Sequence, residues 1–200
     1  MLYRVLERVC AGILLIFFLP LLCVLYIVVR LTSRGPFLFT QLRIGKNKKP
    51  FWIYKIRTMV VGAEGLQARY KNKNEADGPV FKMRNDPRYT RVGKFLSHSA
   101  LDELPQLINI VRGEMAFVGP RPLPKKEALR IPKKYHVRFT VLPGMTSTWI
   151  VNGAHSLTFK QWMELDSEYV RHNSLYHNSI ILLQTGLVVL RMIVTRLLYK

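Results

Sequence analysis

The chain has few acidic residues and very few cysteines for its length. Only 12 of its 200 residues are Asp or Glu, against 31 Lys and Arg, which gives a formal net charge of +19. Both cysteines, Cys10 and Cys23, lie inside one apolar run, so the disulfide framework of a secreted protein is not expected. Because 49% of the chain is hydrophobic, a disordered basic tail is excluded. Charge and apolarity together indicate either nucleic acid or an anionic membrane surface as the partner.

The common catalytic and metal-binding motifs are missing as well. The sequence has no Gly-x-Gly-x-x-Gly, no Walker A phosphate loop, no His-Glu-x-x-His and no Cys-x-x-Cys. The histidines have no spacing typical of zinc ligands: His98, His136, His155, His172 and His177. A zinc site is therefore not expected, and most catalytic templates do not apply.

The first long feature that is present is an uncharged apolar run, Val9–Val29. As a helix it would be about 31 Å long, which matches a hydrocarbon core of about 30 Å. Pro20 lies near its midpoint and predicts a kink. Basic residues lie on both flanks: Arg4, Arg8, Arg30 and Arg34. The positive-inside rule then places both flanks in the cytoplasm, which favours a re-entrant helix broken at the proline. An ordinary span that tolerates the proline is the alternative.

The C-terminal end repeats this pattern on a smaller scale. Ser179–Leu190 is uncharged but too short to span a membrane, and Arg191, Arg196 and Lys200 follow it among apolar residues. Such a helix is typical of the membrane interface, although a buried core helix has a similar pattern. We therefore expect a re-entrant membrane segment over residues 1–34, a cytosolic domain over 35–178 and an interfacial amphipathic helix over 179–200.

Between these ends the sequence predicts a short β-hairpin. Pro36–Ile44 and Phe51–Met59 have the pattern of two strands joined by a turn cluster. Alternation in the second strand places Lys55 and Arg57 on one face, where two cations would clamp a phosphate. A solvated strand edge would have the same pattern. The polar stretch Ala63–Pro79 is predicted to be a loop.

An acidic pair stands at the start of a predicted helix. Apolar residues at helical spacing predict a helix from about Asp102 to Gly113, with Pro105 in its first turn. The positive end of the helix dipole would keep Asp102 ionised. The pair with Glu103 has two interpretations: a helix cap with a first-turn glutamate, or one carboxylate that attacks phosphorus beside one that holds a divalent ion. The helix cap is the commoner of the two, but the arginines around the pair count against it and keep the second interpretation open.

Five motifs follow one another in order along the chain. They are Lys-x-Arg-Thr-Met at 55–59, Asp-Pro-Arg-Tyr-Thr-Arg-Val-Gly at 86–93, Leu-Asp-Glu-Leu-Pro-Gln-Leu at 101–107, Gly-Glu-Met at 113–115 and Val-Gly-Pro-Arg-Pro at 118–122. Together they resemble the bacterial sugar transferases, which are monotopic phosphoglycosyl transferases. The resemblance implies a small α/β monotopic membrane protein with a re-entrant, proline-broken helix and a helix-rich catalytic domain with a short β-hairpin. It also implies a position on the cytoplasmic face of the bacterial inner membrane.

The resemblance further implies a reaction and a set of site residues. That family transfers a sugar 1-phosphate from a UDP-sugar to a polyprenyl phosphate, such as undecaprenyl phosphate, releases UMP and so begins exopolysaccharide or glycoconjugate synthesis. Asp102 would be the nucleophile that forms a covalent phosphosugar intermediate, and Glu103 would bind Mg²⁺. The remaining assignments are to substrate binding: Lys55, Arg57, Arg88, Arg121 and Asp166. The implied partners are the UDP-sugar, the polyprenyl phosphate, anionic membrane lipids and, in a possible homodimer, a second copy of the chain.

Departures from the family pattern leave a second function open. Ser147, Ala154 and Asn178 stand where the family often has Gly, Arg and Asp, and Leu19 precedes Pro20 where Ser is common. These changes are the basis of the alternative: a catalytically weak or inactive relative that acts as a membrane-bound partner in a polysaccharide assembly complex. The hypothesis of a nucleic-acid-binding protein rests on charge alone, and the sequence lacks aromatic-rich binding motifs. Nucleic acid is therefore not expected as a partner. Without the extra spans of longer relatives, the chain is expected to be a minimal catalytic unit.

Overall fold

The structure, a computed structural model, describes residues 2–83, 85–154 and 156–198. In the last helix the side chains of residues 193 and 195–198 are not part of the description. Three positions named above fall outside it: His155, Lys200 and the side chain of Arg196. The zinc and C-terminal predictions that involve them are therefore tested only on the remaining residues.

Two helices at the N-terminus form a bent pair. Helix α1 spans Leu2–Phe17, helix α2 spans Leu19–Thr32, and their axes differ by 56°. The bend lies at Phe18, and Pro20 occupies the first turn of α2, where a missing N–H costs no intrahelical hydrogen bond. The predicted break is therefore present, just before the proline. Among the described helices none is by itself long and apolar enough to cross a membrane, whereas this bent pair together passes that test.

Each helix of the pair packs on the body of the protein through a narrow row of buried residues. Ala11 of α1 is buried against Ile110, and Leu25 and Val29 of α2 are buried against Leu96. Most other large apolar side chains of the pair are exposed, among them Ile13, Ile16, Phe17, Leu19, Val24, Ile27 and Leu31. The pair is thus attached to the body but leaves an extensive apolar surface uncovered.

The predicted hairpin is confirmed. Strand β1, Leu38–Ile44, pairs antiparallel with strand β2, Pro50–Ile56, and the 3₁₀ turn Lys46–Lys48 joins them. Phe51 and Ile53 of β2 are buried in the core. Since side chains two apart share a strand face, Lys55 lies on this inward face, and Arg57 comes just after the strand ends.

Two sequence predictions for the middle of the chain need correction. The stretch predicted as a loop contains helix α3, Ala63–Leu66, and the 3₁₀ helix Gln67–Lys73. After helix α4, Arg91–His98, the single helix predicted up to Gly113 is divided into a 3₁₀ helix, Leu101–Gln106, and helix α5, Leu107–Val111. Pro105 explains the division, because it has no N–H to donate to the carbonyl four residues earlier, as an α-helix requires. The start beside Asp102 is as predicted.

The C-terminal half completes a helix-rich α/β fold. Strand β3, Ala116–Val118, pairs in parallel with strand β4, Gly144–Thr146. The other elements are α6 at Lys125–Ala128, a 3₁₀ helix at Lys133–Thr140, α7 at Thr148–Val151, α8 at Phe159–His172 and α9 at Leu175–Leu198. Helix α9 buries Ile181 against Val118 and Tyr169 and exposes Leu183, Leu187 and Leu190. It begins before the boundary expected at 179, so its first turns belong to the body.

The close approach of α4 to the segment that follows β2 predicts a strong effect of Gly93→Ala. A Cβ at Gly93 would collide with the backbone carbonyl of Thr58, which cannot move aside as a side chain would. We expect the free energy of unfolding to fall by about 2 kcal/mol, the usual cost of overpacking. Urea unfolding in detergent measures it. Gly65→Ala is the control, because a Cβ there meets nothing within 4 Å. Equal stabilities of the two variants would contradict this packing.

Candidate active site

The acidic pair lies against β2 and is almost fully buried. Asp102 is 5% exposed and Glu103 is 9% exposed. Two cations meet Oε1 of Glu103: Lys55 Nζ at 2.6 Å and Arg121 Nη2 at 2.7 Å. Lys55 Nζ also lies 3.5 Å from Oδ2 of Asp102. The structure therefore brings together four of the predicted site residues, from a strand, a 3₁₀ helix and the loop after β3.

An unusual backbone conformation directly precedes the pair. Ala100 has φ of 57°, in the left-handed region that non-glycine residues rarely adopt. It reverses the chain between the end of α4 and the 3₁₀ helix that starts at Leu101. Strained residues of this kind persist where the surrounding structure holds them, and they often occur at active sites. The position of Asp102 thus depends on how α4 is packed.

A buried arginine, Arg138, and a half-buried one, Arg43, hold the loop that carries Arg121. Arg138 donates from Nη2 to the carbonyl of Arg121 at 2.7 Å, and Arg43 donates from Nη1 to the carbonyl of Pro122 at 2.9 Å. Burial lowers the pKa of Arg43 to about 10. The prolines at 120 and 122 restrict φ on both sides of Arg121. Sequence reasoning missed Arg43 and Arg138, because an isolated arginine in a strand or a short helix has the same local signal as a surface arginine.

The pKa values of the two acids move in opposite directions. Burial alone would raise the pKa of Glu103, but Arg121 and Lys55 attract its carboxylate and lower the pKa well below its usual range. Burial raises the pKa of Asp102, and the attraction of Lys55 offsets this only in part. The helix-dipole argument expected Asp102 to remain ionised. The raised pKa acts against ionisation, because burial penalises the charged carboxylate.

The structure places two predicted phosphate-binding arginines in the scaffold. Arg57 donates to the carbonyls of Pro36 at 2.6 Å and Ser33 at 3.0 Å, so it ties β2 to the end of α2. Arg88 is 7% exposed and forms a fork with Asp86, with bonds of 2.9 and 2.6 Å. Neither arginine joins the cluster of Lys55 and Arg121. Their predicted contact with phosphate remains a prediction that would require these bonds to rearrange.

Asp166 reaches the site only through another residue. It is 1% exposed, and its Oδ2 lies 2.9 Å from Nη2 of Arg138, the arginine that holds the Arg121 carbonyl. Burial raises the pKa of Asp166 to about 6, because desolvation outweighs the attraction of Arg138. In the structure Asp166 therefore contacts Arg138, which in turn holds Arg121. Its role in substrate binding stays a prediction.

Asn178, one of the departures from the family pattern, contacts residues outside the acidic pair. Asn178 is 5% exposed, accepts from the hydroxyl of Tyr169 at 3.0 Å and donates to Asn173 at 3.2 Å. The same tyrosine hydroxyl donates to the carbonyl of Val118 at 2.9 Å. Asn178 thus joins α8, α9 and β3, a packing role that the amide performs in place of a carboxylate.

The acidic pair is also where the structure could hold a metal ion. Among the described residues, no group of three or more His, Cys, Asp or Glu side chains could hold one. Mg²⁺ commonly binds one or two carboxylates together with substrate phosphates and water. Both cations on Glu103 meet Oε1, so neither of these two contacts uses its other oxygen, Oε2. The pair therefore fits an ion that arrives with a diphosphate rather than a dedicated protein cage.

A family model and several known proteins are similar to this chain over most of its length. The family model described as bacterial sugar transferase matches residues 1–192. An uncharacterized sugar transferase of Haemophilus influenzae is 37% identical over 191 residues, which cover 94% of this chain and 40% of that protein. The undecaprenyl-phosphate galactose phosphotransferase of Salmonella typhimurium is 35% identical over 196 residues, with 94% and 40% coverage. The UDP-glucose:undecaprenyl-phosphate glucose-1-phosphate transferase of Caulobacter vibrioides is 36% identical over 191 residues, with 91% and 67% coverage.

The relatives differ from this chain in length. The chain spans 40% of the length of the Haemophilus and Salmonella proteins and 82% of the exopolysaccharide production protein ExoY of Rhizobium meliloti. The similarity therefore concerns only part of the length of the Haemophilus and Salmonella proteins.

Asp166→Asn is expected to change how stability depends on pH. The folded-state pKa of about 6 lies above the ordinary aspartate value of about 3.9, so folding favours the protonated form. The contribution of Asp166 to stability is then present at low pH and is lost as the pH rises through 6. Between pH 4 and pH 7 the wild type should lose about 2 kcal/mol relative to the variant in urea unfolding.

Glu164→Gln provides the matched control for this measurement. It is also a carboxylate-to-amide change on α8, but its side chain is 54% exposed and lies 3.8 Å from Lys160. Its stability should follow the wild-type pH curve. If the Asp166→Asn curve is also parallel to the wild type, the buried carboxylate does not titrate as described.

Proposed function

Because the chain belongs to the bacterial sugar transferase family, we propose that it transfers a sugar 1-phosphate from a UDP-sugar to undecaprenyl phosphate and releases UMP. The names of the Salmonella and Caulobacter relatives specify sugar phosphotransfer to this lipid. The observation that carries the proposal is a buried Asp102 beside a glutamate that two cations hold ionised. Such a site neutralises phosphate charge and presents a carboxylate nucleophile.

In the first step Asp102 attacks the β-phosphorus of the UDP-sugar. An oxygen of its carboxylate forms a bond to phosphorus, and the bond from that phosphorus to the bridging oxygen of the α-phosphate breaks. The products are an acyl-phosphate that links Asp102 to the sugar, and UMP. Lys55, which lies 3.5 Å from Asp102, is placed to attract the phosphoryl oxygens as their charge increases.

In the second step the lipid phosphate takes the sugar phosphate from Asp102. An oxygen of undecaprenyl phosphate bonds to the same phosphorus, and the Asp102 carboxylate leaves unchanged. Glu103 keeps Lys55 and Arg121 in position during both steps, since its pKa stays low and its charge is retained. Two phosphates thus use one site in turn, which gives a ping-pong mechanism.

Mg²⁺ belongs to this proposal as an ion shared with the substrate. When bound, it would supply charge neutralisation to the diphosphate. The carboxylate of Glu103 would hold it, through the oxygen that does not meet the two cations. Oxygen donors of this kind are the ligands that Mg²⁺ prefers.

The bent N-terminal pair supports a membrane position for the site. Its exposed apolar side chains suit lipid, and both of its arms pack on the body, α1 at Ala11 and α2 at Val29. An element held on the body at both arms is compatible with entry and exit on one face. We therefore propose a re-entrant segment on the cytoplasmic face of the inner membrane, with the exposed apolar residues of α9 at the interface.

The nucleophile is tested by covalent capture. Purified protein incubated with a UDP-sugar, without lipid phosphate, should carry a phosphosugar adduct on Asp102 that intact-protein mass spectrometry detects. Asp102→Asn should form no adduct and release UMP at least 1,000-fold more slowly, on the order of the loss caused by removing a catalytic nucleophile. Glu164→Gln, at an exposed carboxylate outside the pair, is the control that should still form the adduct.

Two outcomes would change the proposal. Unchanged UMP release by Asp102→Asn would show that another group is the nucleophile. Binding of UDP-glucose, UDP-galactose and their N-acetylated forms without UMP release from any of them would favour the inactive, membrane-bound partner instead.

The re-entrant topology is tested by cysteine labelling. With the exposed Cys10 and Cys23 changed to serine, single cysteines are placed at Leu2 and Arg34, which are exposed at the two flanks. Both should react with a membrane-impermeant maleimide in inverted membrane vesicles and not in intact spheroplasts. A cysteine at Phe17, beside the bend, should react in neither. Labelling of one flank from the periplasmic side would establish a span.

A further inference from the structure

A cleft next to Arg121 contains the stacked rings of Trp149 and Trp162. The ring centroids are 4.5 Å apart and the planes differ by 21°. About 300 Å³ of empty space lies in and in front of the cleft, part of it open solvent at its mouth. Its other polar and small lining residues include Glu75, Asp77, Lys82 and Ala154. None of the predicted site residues lines this cleft, so the reaction described above leaves it without a role.

Arg121 connects the cleft to the acidic pair. Its guanidinium carbon lies 5.7 Å from the ring centroid of Trp149, while its Nη2 bonds to Glu103 at 2.7 Å. In a UDP-sugar only one oxygen separates the sugar ring from the phosphorus that Asp102 would attack, whereas a second phosphate and a ribose separate the uracil from it. A cleft one side chain away from the pair is therefore closer to the sugar than to the base.

The charges of the cleft also suit an uncharged ring with hydroxyl groups. Glu75 and Asp77 bring carboxylates, which accept hydrogen bonds from hydroxyls, and Lys82, whose Nζ lies 4.7 Å from the ring centroid of Trp149, brings one cation. Asp77 is held in place because its Oδ1 accepts from the backbone N–H of Phe159 at 2.6 Å. The diphosphate instead has Lys55 and Arg121 on the other side. Aromatic walls with a few placed polar groups are typical of small-ligand sites.

One buried donor in the cleft has no acceptor. The Nε1 of Trp162 is buried and has no hydrogen-bond partner among the residues that the structure describes, and Trp162 is 7% exposed. Native proteins rarely leave a buried N–H unsatisfied. A hydroxyl oxygen of a bound sugar would accept this bond. Ala154, whose side chain is a single methyl group, adds space here.

We propose that this cleft binds the sugar ring of the UDP-sugar and that Trp162 and Asp77 help to determine which sugar is accepted. The inference rests on the proposed transfer from a UDP-sugar and adds a subsite to it. Trp149, whose ring stacks on Trp162 and lies under Lys82, supplies an apolar wall of the cleft. Trp162 donates from Nε1, and Asp77 accepts from a hydroxyl.

Binding of UDP-sugars relative to UDP tests the cleft. The background is Asp102→Asn, so that bound sugar phosphate is not transferred, and the probes are UDP, UDP-glucose, UDP-galactose and their N-acetylated forms. Trp162→Phe keeps an aromatic ring but removes the donor. It should weaken binding of the preferred UDP-sugar about fivefold, the effect of one hydrogen bond, and change the affinity for UDP by less than about twofold. Isothermal titration calorimetry in detergent measures both.

A second variant keeps the test independent of folding. Asp77→Asn retains an acceptor for the Phe159 N–H and removes the charge. It should also weaken the preferred UDP-sugar severalfold relative to UDP and change the order of preference among the sugars. Glu164→Gln, exposed on the helix that carries Trp162, should change neither affinity. Thermal unfolding confirms that each variant is folded.

The outcomes separate this inference from the proposed transfer. If both variants weaken UDP as much as the UDP-sugars, or leave the ratio unchanged, the cleft does not bind the sugar. UMP release by the wild type with undecaprenyl phosphate is measured independently. If the variants lose the preference for UDP-sugar over UDP but the wild type releases no UMP, the cleft is supported and the transfer is rejected. If the wild type releases UMP but the variants keep the affinity ratio of UDP-sugar to UDP, the transfer is supported and the cleft is rejected.

Discussion

The carboxylate of Glu103, held between Lys55 and Arg121, is the interaction on which the site depends. It joins a strand, a 3₁₀ helix and a proline-flanked loop that are distant in the sequence. The group is almost fully buried, so loss of either cation would leave a poorly compensated charge in a low-dielectric environment. The same pairing lowers the pKa of Glu103 and leaves Asp102 as the acid whose pKa burial raises. One ion-pair cluster thus creates two carboxylates with different properties.

The excess of basic residues has two uses, and only one of them concerns partners. Arg57, Arg88 and Arg138 are buried and bind carbonyls or carboxylates of the protein itself. Arg43 similarly binds the carbonyl of Pro122. Five-donor guanidinium groups can satisfy backbone oxygens that the short, irregular elements of this fold leave without partners. A net charge of +19 therefore overstates the charge available to phosphates and lipids.

The N-terminal helices and the acidic pair share their supports. Val29 of α2 packs on Leu96 of α4, and α4 leads directly to Ala100 and Asp102. Glu7 of α1 accepts from the backbone N–H of Phe117 at 3.1 Å, in the strand that leads to Arg121. Both halves of the site are thus attached to the element proposed to enter the membrane. Under the proposed function, this connection would hold the nucleophile at the lipid surface where undecaprenyl phosphate is found.

Local patterns in the sequence determined the hairpin, the break near Pro20 and the helix start beside Asp102, because alternation, proline and helical spacing act over a few residues. The family motifs predicted that Lys55, Asp102, Glu103 and Arg121 belong to one site, and the structure brings these four together. Only the tertiary structure decided that Arg57, Arg88 and Asp166 contact the scaffold, that Arg43 and Arg138 hold the Arg121 loop, and that the pKa of Asp102 is raised. Burial and long-range partners set these properties, and neither can be derived from local spacing, since the same arginine or aspartate has one sequence signal whether it lies in solvent or in the core.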